Sequence, residues 1–210
     1  MFISFEGADG TGKTTQIERL ARRLRSRGYE VITTREPGGT VLAEKIRDIL
    51  LEECGETVHP ETEALLYAAA RAQHVRQVIR PALADGAVVI SDRFIDSSLV
   101  YQGVGRNLGV ELVREMNRPA LDGLWPDITI LLDLPSEAAE HRRKTRQTHA
   151  DRFETEDMEF KTRLRQGYLD LAAREPDRII RIGADQDVEQ LEESVWSRIR
   201  SRLPELGDLR

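Results

Sequence analysis

Short apolar runs alternate with longer amphipathic stretches along this chain. Five runs have strand length, at residues 2–5, 31–33, 87–90, 128–132 and 179–182. The second, third and fourth are rich in β-branched residues, and most show little apolar–polar alternation, as expected of strands covered on both faces. Residues 13–27 carry Ile17, Leu20, Ala21 and Leu24 on one stripe, keep Arg19, Arg22, Arg23 and Arg25 off it, and stop at Gly28. That is an amphipathic helix with its stop signal. An Ala-rich stretch over 61–84 predicts a long helix, which Pro81 should bend or end early. Residues 156–174 and 187–203 predict two more, the last with Leu191, Val195, Ile199 and Leu203 on its stripe. Strands separated by helices make βαβ units, so the expected fold class is α/β, a three-layer α/β/α arrangement around a five-stranded parallel sheet.

A length of 210 residues, without internal repeat or Pro/Gly/Ser-rich linker, predicts one domain over 1–210. Apolar residues make up 40% and charged residues 32%, a balance that excludes a disordered tail. No apolar run reaches the roughly 18 residues of a membrane helix. Lys and Arg number 31 against 37 Asp and Glu, a net charge of −6. This argues against a nucleic-acid coat, whose affinity comes from basic residues neutralising phosphates. The lone cysteine, Cys54, can close neither an internal disulfide nor a zinc site and points to a reducing interior. His59, His74, His141 and His149 lack metal-binding spacing and read as surface or packing residues. The opening MFISFEG lacks the basic and apolar regions of a signal peptide. A soluble cytoplasmic protein, with no membrane or nucleic-acid partner, is expected.

The first apolar run leads directly into Gly7-Ala8-Asp9-Gly10-Thr11-Gly12-Lys13-Thr14, with Thr15 next. This fits G-x-x-x-x-G-K-S/T placed between a strand and a helix. Glycines let successive backbone N–H groups converge on one point, and the helix beginning near Lys13 aims its positive end there. Lys13 adds a full charge toward the β- and γ-phosphates, and the Thr14 hydroxyl is the usual Mg2+ ligand. Gly7 through Thr15 are therefore candidate residues for a nucleoside triphosphate with Mg2+, within a P-loop NTPase fold. No N-K-x-D guanine-reading motif is present. An apolar strand ending in an acid should complete the site. Asp92 and Asp133 compete for that role, and Asp92 is favoured because Arg93 follows it directly.

Three further segments indicate a second substrate. Arg35-Glu36-Pro37-Gly38-Gly39-Thr40 forces a tight turn at a strand's carboxyl end, where ligands sit in open α/β sheets. Tyr67 and Arg71 lie four apart on one helix face, with alanines between them that leave room for something flat; the alternative is a core tyrosine with a surface arginine. Asp92-Arg93-Phe94, then Ser97, Ser98, Tyr101, Gln102 and Gly103, gather polar groups just past the third strand. Finally, residues 141–152 hold Arg142, Arg143, Lys144, Arg146 and Arg152 against Asp151, a net of +4. Such a run is either the solvated end of a helix or a functional segment.

The combination EGADGTGKTT, TREPGGT, YAAAR, DRF…SSLVYQG and an arginine-rich segment followed by DRFE resembles the bacterial thymidylate kinase family, from Phe2 to about Tyr168. The resemblance implies transfer of a phosphoryl group from ATP to the 5′-phosphate of dTMP, giving dTDP on the way to dTTP. It implies that Asp9 touches the acceptor's sugar hydroxyl and phosphate, that Arg93 holds the acceptor phosphate, and that Tyr67 stacks on thymine. Arg71 would donate to the 4-carbonyl, Ser98 would lie near the base, and Tyr101 would crowd the 2′ position. A guanidinium is donor-only, so a cytosine amino group opposite Arg71 would leave donors facing each other. Arg35, Pro37 and Gln102 join the expected acceptor site through the segments that carry them. Tyr67 stands where phenylalanine is commoner. The variable P-loop positions carry Ala8, Asp9 and Thr11, like the family variant whose arginines lie in a lid. Residues 141–152 then become a small lid, and Arg142, Arg146 and Arg152 join Lys13, Arg93 and Asp9 as candidate catalytic residues. Thr14 and Asp92 are the expected Mg2+ ligands, and the family implies a homodimer.

Phosphoryl transfer is mainly positioning and charge stabilisation. A phosphate monoester has a second pKa of about 6, so no general base is expected. Another nucleoside monophosphate or deoxynucleoside kinase is the nearest alternative. An assembly or regulatory ATPase is the alternative of a different class, and it would leave the REPGGT and YAAAR segments without a role.

Overall fold

Every apolar run becomes a strand: β1 (Phe2–Glu6), β2 (Val31–Arg35), β3 (Val88–Asp92), β4 (Ile128–Asp133) and β5 (Ile179–Gly183). In this computed structural model, which describes residues 1–52, 55–145 and 156–202, the strands form one sheet in the order β2-β3-β1-β4-β5. All pairings are parallel. Each strand runs one or two residues past its apolar run at the carboxyl end, into Glu6, Arg35, Asp92, Asp133 and Gly183. That edge carries the polar residues of the site.

In chain order the helices are α1 (Lys13–Arg25), α2 (Val41–Leu51), α3 (Pro60–His74), α4 (Arg80–Ala84), α5 (Ile95–Ser98), α6 (Val110–Leu121), α7 (Ser136–Lys144), α8 (Met158–Arg174) and α9 (Val188–Arg202). Ile17, Leu20 and Leu24 of α1 and Leu191, Val195 and Ile199 of α9 pack on Ile3, Phe5, Ile90 and Ile130 on one face of the sheet. On the other face, residues of α5, α6 and α8 meet Phe2, Val89 and Leu131. Strand alternation therefore puts Ser4 and Glu6 on the Phe2 face, and both are buried there. No helix among the described residues is long and apolar enough to cross a membrane.

The stretch expected as one helix over 61–84 stays helical through Pro81 to Ala84, widening in the turn before the proline rather than ending there. A π-helical segment, Val75–Ile79, separates α3 from α4, and Pro81 sits in the first turn of α4. The widened turn just before Pro81 gives its ring the room that a regular α-turn would deny it. A second π-helical segment, Leu99–Gly105, follows α5 and carries Tyr101 and Gln102. Such widened turns recur where helices present functional side chains.

Candidate functional site

Beyond Glu6 the chain curls over the carboxyl edge of the sheet and into α1. Gly12 caps α1 in the left-handed region, with no side chain covering the first turn. Gly10 has φ 90°, and a Cβ there would lie 2.3 Å from the Ala139 carbonyl oxygen, so the loop rests directly on the backbone of α7. Lys13 Nζ donates to the Gly7 and Ala8 carbonyls at 3.0 Å each and lies 3.4 Å from Asp9 Oδ1. The Thr11 hydroxyl turns inward to donate to Ala8 O at 2.9 Å, while Gly7 is buried at the base of the loop and Thr15 is half-buried.

The Thr14 hydroxyl donates to Asp92 Oδ2 at 3.2 Å. Asp133, the competing acid, is held instead by Arg165 and Arg181, each at 2.7 Å. Asp92 is thus the acid beside the loop, although its neighbour in sequence, Arg93, pairs elsewhere. Arg93 adopts a left-handed backbone, φ 68°, which costs a non-glycine residue about 1–2 kcal/mol. Its Nη2 donates to Asp9 Oδ1 at 2.7 Å. Its Nη1 donates to Ser97 Oγ at 3.2 Å and Tyr168 OH at 3.3 Å, and its guanidinium lies 5.2 Å from the Tyr101 ring centre. Burial pushes the Asp9 carboxyl up, but the charges of Arg93 and Lys13 outweigh it and hold Asp9 well below the usual carboxylate range. Burial and the Arg93 charge lower the Lys13 ammonium from its ordinary value. Behind Arg93, burial and then the Asp96 charge raise Glu6 to about 7, against the opposing pull of Arg93, Ser97 and the Phe94 N–H.

Two clefts meet at this ion pair. Gly10, Gly12, Lys13, Thr14, Arg35, Asp92 and Arg143 line one; Pro37, Leu51, Tyr67, Arg71, Ser97, Ser98, Tyr101 and Gln102 line the other. Asp9, Arg93, Glu36 and Arg47 belong to both. In the second cleft the alternative reading of the YAAAR segment is inverted: Arg71 is 1% exposed and Tyr67 is half-buried. Arg71 Nε donates to Glu36 Oε2 at 2.8 Å, Nη2 donates to Ser98 Oγ at 3.0 Å, and Nη1 donates to Asn117 Oδ1. His74, fully buried, bridges Glu36 Oε1 at 3.0 Å and Thr34 Oγ1 at 2.7 Å, and so locks α3 to the loop after β2. Gly39 is required here, because a Cβ at φ 81° would meet the His74 ring at 2.6 Å. The Glu36–Pro37 peptide is cis. Gln102 Nε2 donates to Glu63 Oε1 at 2.8 Å, while its buried Oε1 finds no partner among the described residues.

Most of the expected site residues thus gather around the two clefts. Arg35 lies on the P-loop side, paired with Glu44 at 2.9 Å, rather than in the acceptor cleft. Arg142 is directed away from both clefts, donating to Ala184 O at 2.8 Å, and its neighbour Arg143 faces the P-loop instead. Arg146 and Arg152 fall outside the described residues, as does most of the expected lid. Glu36 and Ser97 lay in segments read as belonging to a second substrate, without a role of their own, and Glu6, Arg47, Asn117 and Tyr168 were given none. The one available signal was a carboxylate at the end of an otherwise apolar buried strand, which must find donors.

Against this geometry stand the comparisons with known proteins. A family model described as thymidylate kinase matches residues 5–195. The thymidylate kinase of Synechococcus sp. (strain JA-2-3B'a(2-13)) is 50% identical over 204 residues, 97% of this chain and 96% of that protein. That of Geobacter sulfurreducens is 50% identical over 208 residues, 97% and 98% of the two chains. The crystal structure of thymidylate kinase from Ehrlichia chaffeensis superposes with a TM-score of 0.78 at 36% identity, covering 95% of this chain and 98% of that one. A match over nearly the full length, with the P-loop and its neighbouring groove both in place, means that this chain belongs to the thymidylate kinase family.

Proposed function

We infer that the chain phosphorylates dTMP to dTDP with ATP as donor and Mg2+ as cofactor. The observation that carries this reading is the Asp9–Arg93 pair, shared by a P-loop cleft and a groove suited to a pyrimidine. Lys13 and the loop amides would hold the donor's phosphates. Thr14 and Asp92 offer adjacent hard oxygen donors, a set that fits Mg2+. When bound, the ion would neutralise charge on the phosphate oxygens. Arg93 would receive the acceptor phosphate and Asp9 the sugar hydroxyl. Tyr67 would stack on the base, with Ser98 and Pro37 beside it and Tyr101 against the sugar. Arg71 brings donors for a ring carbonyl, and the unpaired Gln102 Oε1 is an acceptor for a ring N–H. Thymine offers that pattern and cytosine the reverse.

No residue need act as a general base, because the acceptor phosphate is largely ionised at neutral pH. Arg143, paired with Glu140 at 2.8 Å, also lines the P-loop cleft, and residues 141–152 serve as the lid within one domain over 1–210. A cytoplasmic homodimer completes the reading. Val41, Leu42 and Ile49 on α2, Leu65 on α3 and Leu112 on α6 are exposed, on helices that pack in succession, and support pairing through that side. Sedimentation showing only monomer at micromolar concentration would count against the dimer. A coupled assay of ADP release with dTMP, dUMP, dCMP and thymidine tests the activity. The expected result is strong preference for dTMP. ATP turnover indifferent to acceptor, or preference for another acceptor, overturns the reading.

A further inference from the structure

Glu6 has no solvent access, yet it is surrounded by donors. Oε1 accepts from the Phe94 backbone N–H at 2.8 Å and from Ser4 Oγ at 3.1 Å. Oε2 accepts from Ser97 Oγ at 2.6 Å and Tyr168 OH at 3.1 Å. These two hydroxyls, 2.9 Å apart, are the same two that receive Arg93 Nη1. A hydroxyl has one proton and two lone pairs. Giving its proton to Glu6 leaves its lone pairs for the guanidinium. Burial, and then the Glu6 charge, raise Tyr168 well above its ordinary value, so it retains the proton that it donates. The Phe94 N–H bond adds a backbone anchor, one residue past the left-handed Arg93.

We propose that Glu6 is a positioning residue for the acceptor phosphate, acting through the Ser97 and Tyr168 hydroxyls to aim the Arg93 guanidinium at the junction of the two clefts. The proposal rests on the reading of Arg93 as the phosphate-holding arginine. A direct Glu6–Arg93 ion pair would compete with a phosphate for the same N–H groups. The interposed hydroxyls take up only Nη1 and leave the Nη2 edge, now on Asp9, to face the junction. The arrangement joins β1, the segment after β3, α5 and α8 behind one cation. The charged and titratable groups facing Glu6 are Arg93, Asp96, Lys13 and Tyr168, and Asp96 is itself held by Arg178 at 2.7 Å.

The test measures KM for dTMP and for ATP at pH 8, above the value of about 7 at which Glu6 titrates, in Tyr168→Phe, Glu6→Gln, Arg93→Ala and the double variant Arg93→Ala/Tyr168→Phe. Tyr168→Phe removes one oxygen and keeps the ring. It should raise the dTMP KM roughly 3- to 10-fold, the worth of one hydrogen bond, while the ATP KM stays within about twofold. Glu6→Gln should raise the dTMP KM more. In the Arg93→Ala background the Tyr168→Phe change should add nothing. Should Glu6→Gln fail to fold, Ser97→Ala takes its place. An unchanged dTMP KM in Tyr168→Phe, an equal rise for both substrates, or an undiminished effect without Arg93 overturns the proposal. If Arg93→Ala itself leaves the dTMP KM unchanged, the phosphate-holding role of Arg93 fails, and the proposal fails with it. If Arg93→Ala raises it and Tyr168→Phe does not, the proposal alone fails.

Discussion

Replacing Arg71 by alanine removes a structural element and a recognition element together, and the structure separates their sizes. Arg71 is 1% exposed and holds Glu36, Ser98 and Asn117. Deleting one partner of a buried ion pair costs roughly 3–5 kcal/mol, a large share of a total stability of about 5–15 kcal/mol. For a chain of this length that corresponds to a fall in Tm of roughly 6–20 °C. The second loss is a hydrogen bond from a charged donor to the base, worth about 1.5–3 kcal/mol, or roughly 10- to 150-fold in dTMP affinity. The assay must therefore begin with a melting curve. KM values for dTMP and ATP are then measured well below the variant's own Tm. The dTMP KM should rise at least about tenfold while the ATP KM stays within about twofold. Asn117→Ala is the companion variant, since Asn117 is buried, holds Arg71 and lines neither cleft. It should lower Tm with a smaller rise in the dTMP KM. Equal rises for both substrates in Arg71→Ala, or a normal dTMP KM in the folded variant, would refute the assignment of Arg71 to the base.

Asp92→Asn should raise the Mg2+ concentration needed for half-maximal turnover by about tenfold or more, because it removes an anionic ligand beside Thr14; an unchanged Mg2+ titration would remove Asp92 from the metal site. Arg143→Ala should lower kcat by about tenfold or more, and Arg142→Ala should stay within about threefold, since only Arg143 faces the P-loop; the reverse order in steady-state kinetics would return Arg142 to the site. Glu6, raised to about 7, binds its proton more tightly folded than unfolded, so its contribution to stability is full below the unfolded value and is lost as pH rises through 7. The loss is about 3 kcal/mol between pH 4 and pH 8. Urea unfolding at those two pH values should show the natural chain losing about that much relative to Glu6→Gln, since carboxylates held low by their partners, such as Glu140, are common to both; identical pH dependence in both would refute it.

The sheet was legible because strands covered on both faces read as uninterrupted apolar runs. Their carboxyl ends were legible only in part, because there the requirement of the site replaces that of the core: the sequence pointed to Asp92 over Asp133 as the acid beside Thr14, but only contacts show that Glu6 is buried beneath Arg93 and that Asp133 is bound by two arginines. The P-loop could be read residue by residue, since its spacing is local. The Arg93–Asp9 pair joins residues 84 apart and depends on which strands become neighbours. Sharing of a helix face by Tyr67 and Arg71 follows from the 3.6-residue period, but the period cannot say that the arginine is the buried member. That inversion comes from Glu36, Asn117 and Ser98, contributed by three other segments. The helix α2 escaped notice because its stripe is blurred by exposed Val41, Leu42 and Ile49, even though Thr40 caps it, accepting from the Ala43 N–H at 3.1 Å.

The contact between Gly10 and α7 links two parts of the molecule that the chain keeps about 130 residues apart. With no side chain between them, the loop and the helix bear on each other like a shaft on its seat. A tilt of α7 toward the sheet would drive the Ala139 carbonyl into the loop, so α7 can slide or turn across that point but cannot press inward. A side chain added at Gly10, which has room for none, would thus be felt as a reshaped phosphate cradle. Damage to nucleotide binding there would be mechanical in origin, with every group that grips the phosphates still present.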